Sequence, residues 1–474
     1  MSHVLPHDPA LPQLATALNE QAMAEVFATE LCSQGQLQVQ GCAVDRIKYR
    51  PRRSCSVSYL LALRDQRSGR AFKQRVAARY CVTGDSARRH AKLASRASRP
   101  SPAGPTLSHV ASLNLLAHWL PNDARLDAVA ELDDDMHMRD RWLPEVVAAL
   151  THGQGRLLAY ETSLVQYVPE HRVCARVDMH LQEAPGLPMV ARSVYAKADA
   201  ERSGPVTHNV MQALSGGAAQ LAGKLRTPRA ILWQADSGLH WHAAAPGRPL
   251  LDISPYVSPT LASRVGAQLA ALHSTPVPIA HADMLTELEQ RPSQVADLLG
   301  LVEAEWQPML RRLVRTLEEG VGRLTGLPSV TLHGDLHPRN ILVDGQRLTL
   351  IDLDGVRPGP AAYELGAWIA DALYRAVLTG LTLESVAPAW RAFLGAYADA
   401  TALCTVTQPL LAWCTAYHLL CTRAYRCVAN LKPGRYAAVP KLISLATAIA
   451  RAETPDAARR CAFSTGGHLM RDAA

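Results

Sequence analysis

Several motifs that define common enzyme classes are absent from this chain of 474 residues. It contains no GxxxxGK[ST] motif, which excludes a P-loop nucleotide site. It also lacks GxSxG and HExxH, so neither a serine-hydrolase elbow nor a zinc-protease helix is indicated. Its ten cysteines include no CxxC pair and no Cys/His spacing that fits a zinc site. The chemistry must therefore come from other residues.

Signals for export and membrane insertion are also lacking. The N-terminus, MSHVLPHDPALPQL, has neither a basic nor an apolar segment, which predicts a cytoplasmic protein. Residues 400–422 are uncharged and long enough to span a bilayer, but they include Gln408, Pro409 and His418, so a buried helix or helix pair is predicted. Reduced, buried thiols are predicted at six cysteines in apolar or alternating surroundings: Cys42, Cys55, Cys81, Cys174, Cys414 and Cys421.

Lysine is scarce, since only seven of the 49 basic residues are lysines. A lysine inside a predicted strand is therefore conspicuous. Basic residues exceed the 42 acidic ones modestly, for a net charge of +7 that is spread along the chain. This charge suits an anionic nucleotide but does not indicate a nucleic-acid partner. The length predicts two or three compact units.

The most informative segment is TLHGDLHPRNILVDGQRLTLIDLDG, residues 331–355. It contains His-x-Asp-x-x-x-x-Asn, which ends at Asn340, followed twelve residues later by Asp352. Phosphoryl transfer from MgATP needs a carboxylate that faces the acceptor hydroxyl, together with an amide oxygen and a second carboxylate that hold metal ions. Asp335, Asn340 and Asp352 supply these three groups.

A hairpin explains how these groups meet. Residues 341–343 and 348–353 are apolar, β-prone runs, and Asp344-Gly345 between them is a strong turn signal. Folding at this turn brings Asn340, at the start of one strand, beside Asp352, at the end of the other.

At these residues the chain resembles the aminoglycoside phosphotransferase and choline kinase family, a branch of the protein-kinase-like fold. The resemblance implies an ATP- and Mg²⁺-dependent enzyme with Asp335 as the catalytic-loop aspartate and with Asn340 and Asp352 as metal ligands. Asp354 stands where many relatives carry a second acid, either a further metal contact or a solvated neighbour. Glu364 occupies the family's usual acidic position after a glycine-proline turn, and His333 is implied to support the catalytic loop.

Two upstream segments share a pattern that predicts an internal repeat. IKYRPRRSCSVSYLLAL leads to VAAR, and LVQYVPEHRVCARVDMHL leads to VYAK, each with strand-like alternation. Matching residues stand 118 positions apart: Tyr49 and Tyr167, Pro51 and Pro169, Arg79 and Lys197. The predicted fold is therefore α+β, a kinase-like bilobal structure with an additional, degenerate N-terminal copy of its small β lobe.

The second copy is the better nucleotide lobe, because it directly precedes the catalytic loop and its strand ends in lysine. We expect Lys197 to contact the phosphates. His242, Ala243, Ala244 and Ala245 precede a proline-glycine turn and resemble the hinge whose backbone binds adenine. The predicted units are residues 1–150 (leading helix and degenerate lobe, acting as a cap), 151–246 (nucleotide lobe) and 247–474 (helical catalytic lobe).

Two departures from the family pattern keep alternatives open. The loop from Tyr167 to Cys174 has no glycine, unlike the phosphate-covering loop of protein kinases. The helix after Lys197 has no glutamate to pair with it, and Asn209 or Gln212 is the available substitute. A small-molecule kinase is the favoured function, a nucleotide-binding pseudokinase that docks a protein partner is the alternative, and a protein or lipid kinase is disfavoured.

The acceptor and the oligomeric state are not readable from the sequence. The family includes kinases of aminoglycosides, choline, sugars and amino alcohols. Asp371, Glu384 and Asp399, on the helices after the catalytic loop, would either meet a cationic acceptor or form a solvated face. No nucleic acid and no membrane are expected as partners.

Overall fold

The computed structural model describes residues 5–32, 36–94, 98–254, 257–279, 284–401, 406–432 and 434–460. Helices and antiparallel sheets are both extensive, which confirms the predicted α+β class. The N-terminal part forms a five-stranded sheet in the order β1-β2-β3-β5-β4. Its elements are α1 (Leu14–Ala17), α2 (Glu20–Cys32), β1 (Leu37–Arg50), β2 (Ser54–Asp65), β3 (Ala71–Cys81), α3 (Asp85–Leu93), β4 (Leu107–Val110) and β5 (Leu115–Trp119).

A second five-stranded sheet follows, in the order β6-β7-β8-β10-β9. The helices before it are α4 (Ala128–Asp133), α5 (Asp135–His137) and α6 (Leu143–Thr151). The sheet and its helices comprise β6 (Arg156–Val168), β7 (Arg172–Gln182), β8 (Met189–Asp199), α7 (Gly204–Gly216), α8 (Ala218–Leu221), β9 (Ala230–Gln234) and β10 (Leu239–Ala243).

The two sheets correspond in the register between their second and third strands, at an offset of 118 residues. Arg79 on β3 pairs with Ser56 on β2, and Lys197 on β8 pairs with Cys174 on β7, 118 residues later in both strands. Both first hairpins turn through a residue with positive φ, Arg52 at 57° and Glu170 at 59°. The predicted register of the repeat is therefore present in the strands.

Alternation along the strands gives each sheet one apolar face. In the first sheet Tyr59 packs edge-on against Phe27 of α2, with ring centroids 5.3 Å apart. In the second sheet the apolar face packs on the segment 126–147, so this segment shares a core with residues that follow it. The boundary predicted at residue 150 stays a prediction, and this packing favours an earlier one.

The remaining chain is mainly helical and carries two small sheets, β11-β13-β14 and β12-β15. Its strands are β11 (Arg248–Pro249), β12 (Ser329–Leu332), β13 (Ile341–Asp344), β14 (Arg347–Leu350) and β15 (Arg357–Pro360). Its helices are α9 (Leu250–Ile253), α10 (Pro259–His273), α11 (Met284–Val302), α12 (Gln307–Gly320), α13 (Ala361–Thr379), α14 (Leu383–Ala400), α15 (Gln408–His418), α16 (Tyr425–Ala429) and α17 (Val439–Ala452).

The helical part buries residues 410–418 of the segment that resembled a membrane span. Within it, α15 is enclosed by neighbouring helices, and residues 402–405 lie outside the described residues. No helix in the described parts of the chain combines the length and apolar character that a membrane span requires. Five of the six cysteines predicted to be buried are buried, and Cys42 is half-exposed.

Candidate active site

The predicted hairpin forms and places Asn340 beside Asp352. Ile341 pairs with Leu350 across β13 and β14, and Gly345 in the turn has a φ of 54°. The second strand ends at Leu350, earlier than the predicted run to residue 353. Just after this strand, the Ile351 N–H donates to the Asn340 carbonyl at 2.9 Å. This hydrogen bond holds the next residue, Asp352, beside Asn340.

Asp352 itself adopts an unusual backbone conformation. Its φ of 63° and ψ of 59° lie in the left-handed region, which residues with a Cβ rarely occupy. Such strain persists only where the surroundings over-determine it, and it clusters at functional sites. The conformation turns the chain sharply after β14, into the short 3₁₀ turn Leu353–Gly355.

A buried glutamate holds the catalytic loop in place. Glu364, at the start of α13, is 1% exposed and accepts hydrogen bonds from the backbone N–H groups of His333 and Gly334, each at 2.8 Å. His273 Nε2 lies 3.0 Å from the same carboxylate. Burial would raise the pKa of Glu364, but the His273 hydrogen bond and charge outweigh it and lower that pKa. Glu364 thus fixes the backbone just before Asp335.

The loop that leads to Asp335 cannot accommodate any side chain at Gly334. Gly334 has a φ of 82°, and a Cβ added there would lie 1.9 Å from the Gly355 carbonyl oxygen. His333 Nε2 donates to the Ile351 carbonyl at 2.9 Å, as expected for a residue that supports the loop. These contacts bind the segment around Asp335 to the segment around Asp352.

Asp335 is half-buried at the mouth of the site, between two basic groups. Arg426 Nη2 lies 3.2 Å from its Oδ1, and His337 Nε2 lies 3.7 Å from its Oδ2. Burial would raise the pKa of Asp335, but the charges of Arg426 and His337 lower it overall. The group therefore remains a carboxylate, which is the form that can accept a hydrogen bond from a substrate hydroxyl.

Lys197 joins the second sheet to the residues that follow the β13–β14 hairpin. Its Nζ lies 2.6 Å from Asp352 Oδ1 and 3.1 Å from Asp354 Oδ2. Burial would lower the pKa of Lys197, but the two carboxylates raise it. Burial alone would raise the pKa of Asp352, but the Lys197 charge holds that pKa below its usual value. The pKa of Asp354 is raised, because burial and the neighbouring Asp352 charge outweigh Lys197.

These residues fit a bound Mg²⁺ by donor type. Two carboxylates and one amide oxygen are the hard oxygen ligands that Mg²⁺ prefers. The Lys197 ammonium already lies within reach of both carboxylates, so the pair accepts a cation. Asn340 Nδ2 donates to the Asp335 carbonyl at 3.0 Å, which leaves Asn340 Oδ1 for a metal. Among the described residues, no three histidine, cysteine or acidic side chains could hold a metal ion by themselves.

The hinge prediction needs a correction at its start. His242 and Ala243 belong to β10, and the connector to β11 begins only at Ala244. The His242 ring is buried and stacks on Tyr195 at 5.4 Å. The N–H groups of Ala243 and Ala244 already donate to the Arg229 and Ser193 carbonyls. Adenine binding at 242–245 stays a prediction, and these two N–H groups would not serve it.

The substitute partners predicted for Lys197 are wrong. Asn209 and Gln212 are exposed on α7, and the described contacts of the Lys197 ammonium are with Asp352 and Asp354. The buried face of α7 carries Thr207, Val210, Met211 and Leu214, whose spacing turns positions 209 and 212 outwards. This periodicity is visible in the sequence and could have excluded both residues.

A buried histidine beside Lys197 was missed. His240 is directly opposite Lys197 across β10 and β8, so both side chains leave the same face of the sheet. It is 1% exposed, and neither ring nitrogen has a hydrogen-bond partner within the described part of the chain. Burial, followed by the neighbouring His242, His208 and Lys197, lowers its pKa to about 2, so the ring is neutral. Its only signal in the sequence is the alternation LHWHA.

Residues 176–404 match the model of the family described as phosphotransferase enzyme family. The predicted resemblance is confirmed for this segment. The matched segment contains Lys197, the loop around Asp335, Asp352 and Glu364, and it excludes the first sheet.

Individual proteins match over parts of the chain. An uncharacterized protein of Deinococcus radiodurans is 28% identical over 219 residues, which are 45% of this chain and 52% of that protein. A glucosamine kinase of Mycolicibacterium smegmatis is 30% identical over 160 residues, 28% of this chain and 40% of the kinase. The chain thus spans about half the length of these curated relatives. The crystal structure of a putative aminoglycoside phosphotransferase from Ralstonia eutropha is similar to 65% of this chain and 98% of its own, at 15% identity and a TM-score of 0.45.

Proposed function

We propose that this protein is a small-molecule kinase that transfers the γ-phosphoryl group of ATP to a hydroxyl group. The observation that carries the proposal is the contact between Lys197 and Asp352 at 2.6 Å, which joins the second sheet to the catalytic hairpin. A strand lysine and a hairpin carboxylate that meet in this way form the pair that phosphoryl transfer from a metal-bound nucleotide requires. The match of residues 176–404 to a phosphotransferase family supports the same reaction class.

Each polar group then has a role in the transfer. Asp335 would orient the acceptor hydroxyl and accept its proton, because it is a carboxylate with its side chain 36% exposed. Lys197 would hold the phosphates, while Asn340 and Asp352, with Asp354 as a further ligand, would hold Mg²⁺. The bound metal would neutralise the charge that develops on the phosphoryl oxygens. Glu364 would act through the loop backbone as a positioning residue.

The two sheets would then have different roles in a kinase-like bilobal fold. In our proposal the second sheet is the nucleotide lobe and the helical part is the catalytic lobe. The first sheet is a degenerate copy of the nucleotide lobe that acts as a cap, because its strand order and register match but Arg79 replaces the lysine. The free cysteines of the described residues fit a protein that acts in the reducing cytoplasm.

The test is acceptor-dependent ADP release with MgATP, measured over pools of sugars, amino alcohols, nucleosides and aminoglycosides. We expect one pool to raise ADP release with the wild-type protein and not with Asp335→Asn, since the amide cannot accept the proton. Dividing that pool identifies the acceptor.

A second variant tests the metal site. Asp352→Ala should reduce turnover by at least about 10³-fold, because it removes both a metal ligand and the partner of Lys197. Circular dichroism and the melting temperature check that the fold survives. An Asp352→Ala protein with the wild-type rate would sink the assignment, and stabilisation by MgATP without any ADP release would favour a pseudokinase.

A further inference from the structure

Basic side chains dominate the surroundings of Asp335. Arg426, which contacts Asp335 at 3.2 Å, follows a π-helical turn, Leu419–Ala424, that also carries Arg423. Such turns are rare and occur frequently at functional sites. Arg426 contacts Asp335 directly, whereas Arg423 contacts Asp371 at 3.2 Å. Both charges contribute to lowering the pKa of Asp335.

The acid that could have attracted a cationic acceptor is already neutralised. Asp371 is 5% exposed and is bound by Arg375 at 2.8 Å and by Arg423 at 3.2 Å. The other two acids considered from the sequence, Glu384 and Asp399, are exposed near opposite ends of α14. A positively charged substrate bound at Asp335 would therefore be repelled by Arg426, and the Asp371 carboxylate, already bound by two arginines, would not offset this repulsion.

The first sheet adds a further row of positive charge. Arg46, Lys48 and Arg50 alternate along β1, so they share one face of the strand. On that face they lie opposite three buried serines of β2, and β1 packs against α16, the helix that carries Arg426. The basic row of β1 therefore belongs to a strand that lies next to the helix of Arg426.

These cations act on one another. Partial desolvation, followed by the charges of Arg435, Arg46 and Arg339, lowers the pKa of Lys432, although its side chain is largely exposed to solvent. Burial, followed by the charges of Arg50 and Arg172, lowers the pKa of Lys48, although Glu170 and Glu201 oppose this. Glu170 is itself bound by Arg79 at 2.6 Å. Like charges repel one another, and an anion bound among them would offset this cost.

One arginine in this region has an unused buried donor. The Nε of Arg172, at the start of β7, is buried and has no hydrogen-bond partner among the described residues. Arg172 is two residues before Cys174, the cross-strand partner of Lys197, so its side chain leaves the same face of the sheet as Lys197. An orphaned guanidinium donor is a ready ligand for a phosphate or carboxylate oxygen.

We infer that the acceptor carries an anionic group, a phosphate or a carboxylate, in addition to the hydroxyl that is phosphorylated. Arg426 and Lys432 bind this group from the catalytic lobe, and Arg46 binds it from the cap. The inference rests on the proposed kinase function, and it gives the first sheet a role in acceptor recognition. A site of this charge would favour an anionic acceptor over an amino sugar, which carries a positive charge.

The experiment compares four hexoses that differ in charge: glucose, glucosamine, glucuronate and glucose 6-phosphate. Binding of each is measured by calorimetry with the full chain and an ATP analogue, and ADP release is measured with MgATP. We expect the two anionic sugars to bind at least tenfold more tightly than glucose, and glucosamine to bind most weakly. A difference between the phosphate and the carboxylate identifies which anionic group the site prefers.

Charge reversal assigns the residues. Lys432→Glu and Arg46→Glu should each raise KM or Kd for the preferred anionic sugar by at least tenfold, with kcat and the KM for ATP unchanged. Lys432→Ala, at an exposed position, should raise the same KM or Kd without disturbing the fold. Arg312→Ala, on the exposed face of α12, is the control that should leave KM, Kd and kcat unchanged.

The outcomes separate the two proposals. Preference for glucose or glucosamine, with ADP released, overturns the anionic acceptor and supports the kinase function. Anionic sugars that bind through Arg46 and Lys432 without any ADP release support the anion site and contradict the kinase function. A rise in the KM for ATP in place of the KM for the sugar assigns these cations to the nucleotide and also overturns the inference.

Discussion

The two five-stranded sheets have the same strand order and the same register between their second and third strands, yet their basic residues have different partners. Lys197 of the second sheet reaches Asp352 and Asp354 of the catalytic hairpin. Arg79 of the first sheet reaches Glu170, in the first hairpin of the second sheet. The same scaffold therefore presents one cation to the proposed chemistry and the other to its neighbouring sheet.

The cross-strand neighbours of Lys197 and Arg79 also differ between the two sheets. Lys197 has Cys174 and His240 as cross-strand neighbours, whereas Arg79 has Ser56 and Leu116. Leu116 is an ordinary core residue, while His240 is a buried polar group without a hydrogen-bond partner. An uncompensated polar group is costly, and the first sheet carries leucine at the equivalent position, although Arg79 Nε is itself buried without a partner among the described residues. The histidine therefore indicates a role tied to Lys197.

The largest effect is expected from exchanging the two cations. Lys197→Arg should lower kcat by about 10²–10³-fold, because a planar guanidinium cannot occupy the space of an ammonium between two carboxylates. Arg79→Lys, the reciprocal change in the first sheet, should alter kcat by less than about threefold. Steady-state kinetics of both variants checks this, and equal losses would mean that the sheets are functionally equivalent.

Asp8 in the first sheet and Asp123 in the second occupy matching positions, and a smaller effect is expected from replacing either. Asp8 accepts hydrogen bonds from Tyr49 Oη and the Arg52 N–H, and Asp123 accepts them from Tyr167 Oη and the Glu170 N–H, so each stabilises one first hairpin. Replacing either by alanine should lower the free energy of unfolding by about 1–3 kcal/mol, since buried donors lose their acceptor. Urea denaturation measures this loss.

The same pair distinguishes the functions of the hairpins. Asp123→Ala should also raise the KM for ATP, because it loosens the hairpin that leads to Arg172, whereas Asp8→Ala should leave that KM unchanged. If Asp8→Ala raised the KM for ATP as much as Asp123→Ala, the nucleotide would depend on both sheets, contrary to our assignment.

His240→Leu makes the second sheet resemble the first at one position. Removing an unsatisfied polar side chain should raise the free energy of unfolding by about 1 kcal/mol. At the same time kcat/KM for ATP should fall by about threefold to tenfold, because Lys197 loses its polar cross-strand neighbour. Thermal unfolding and kinetics on one preparation test both effects, and a variant that gains stability with full activity would show that His240 does not serve Lys197.

Much of this comparison was predictable from local sequence. The turn at Asp344-Gly345 and the alternation in both repeats are encoded in neighbouring residues, so the hairpin and the register of the strands could be predicted. The hinge prediction began too early because the alternation that ends in His242 continues β10. The contact of Arg426 with Asp335 joins residues 91 positions apart and depends on how the helices pack, which no local pattern specifies.

The smallest effect is expected at the bridge between the sheets. Arg79 and Glu170 are each 20% exposed, so a double-mutant cycle with alanine at both positions should give a coupling of about 0.5–1 kcal/mol in the free energy of unfolding. Arg391 and Asp456, a pair about half exposed at 2.7 Å, should give less and serve as the control. If the coupling between Arg79 and Glu170 were no larger than that between Arg391 and Asp456, Arg79 would not hold the sheets together. The arginine that replaces lysine in the first repeat would then have no structural explanation.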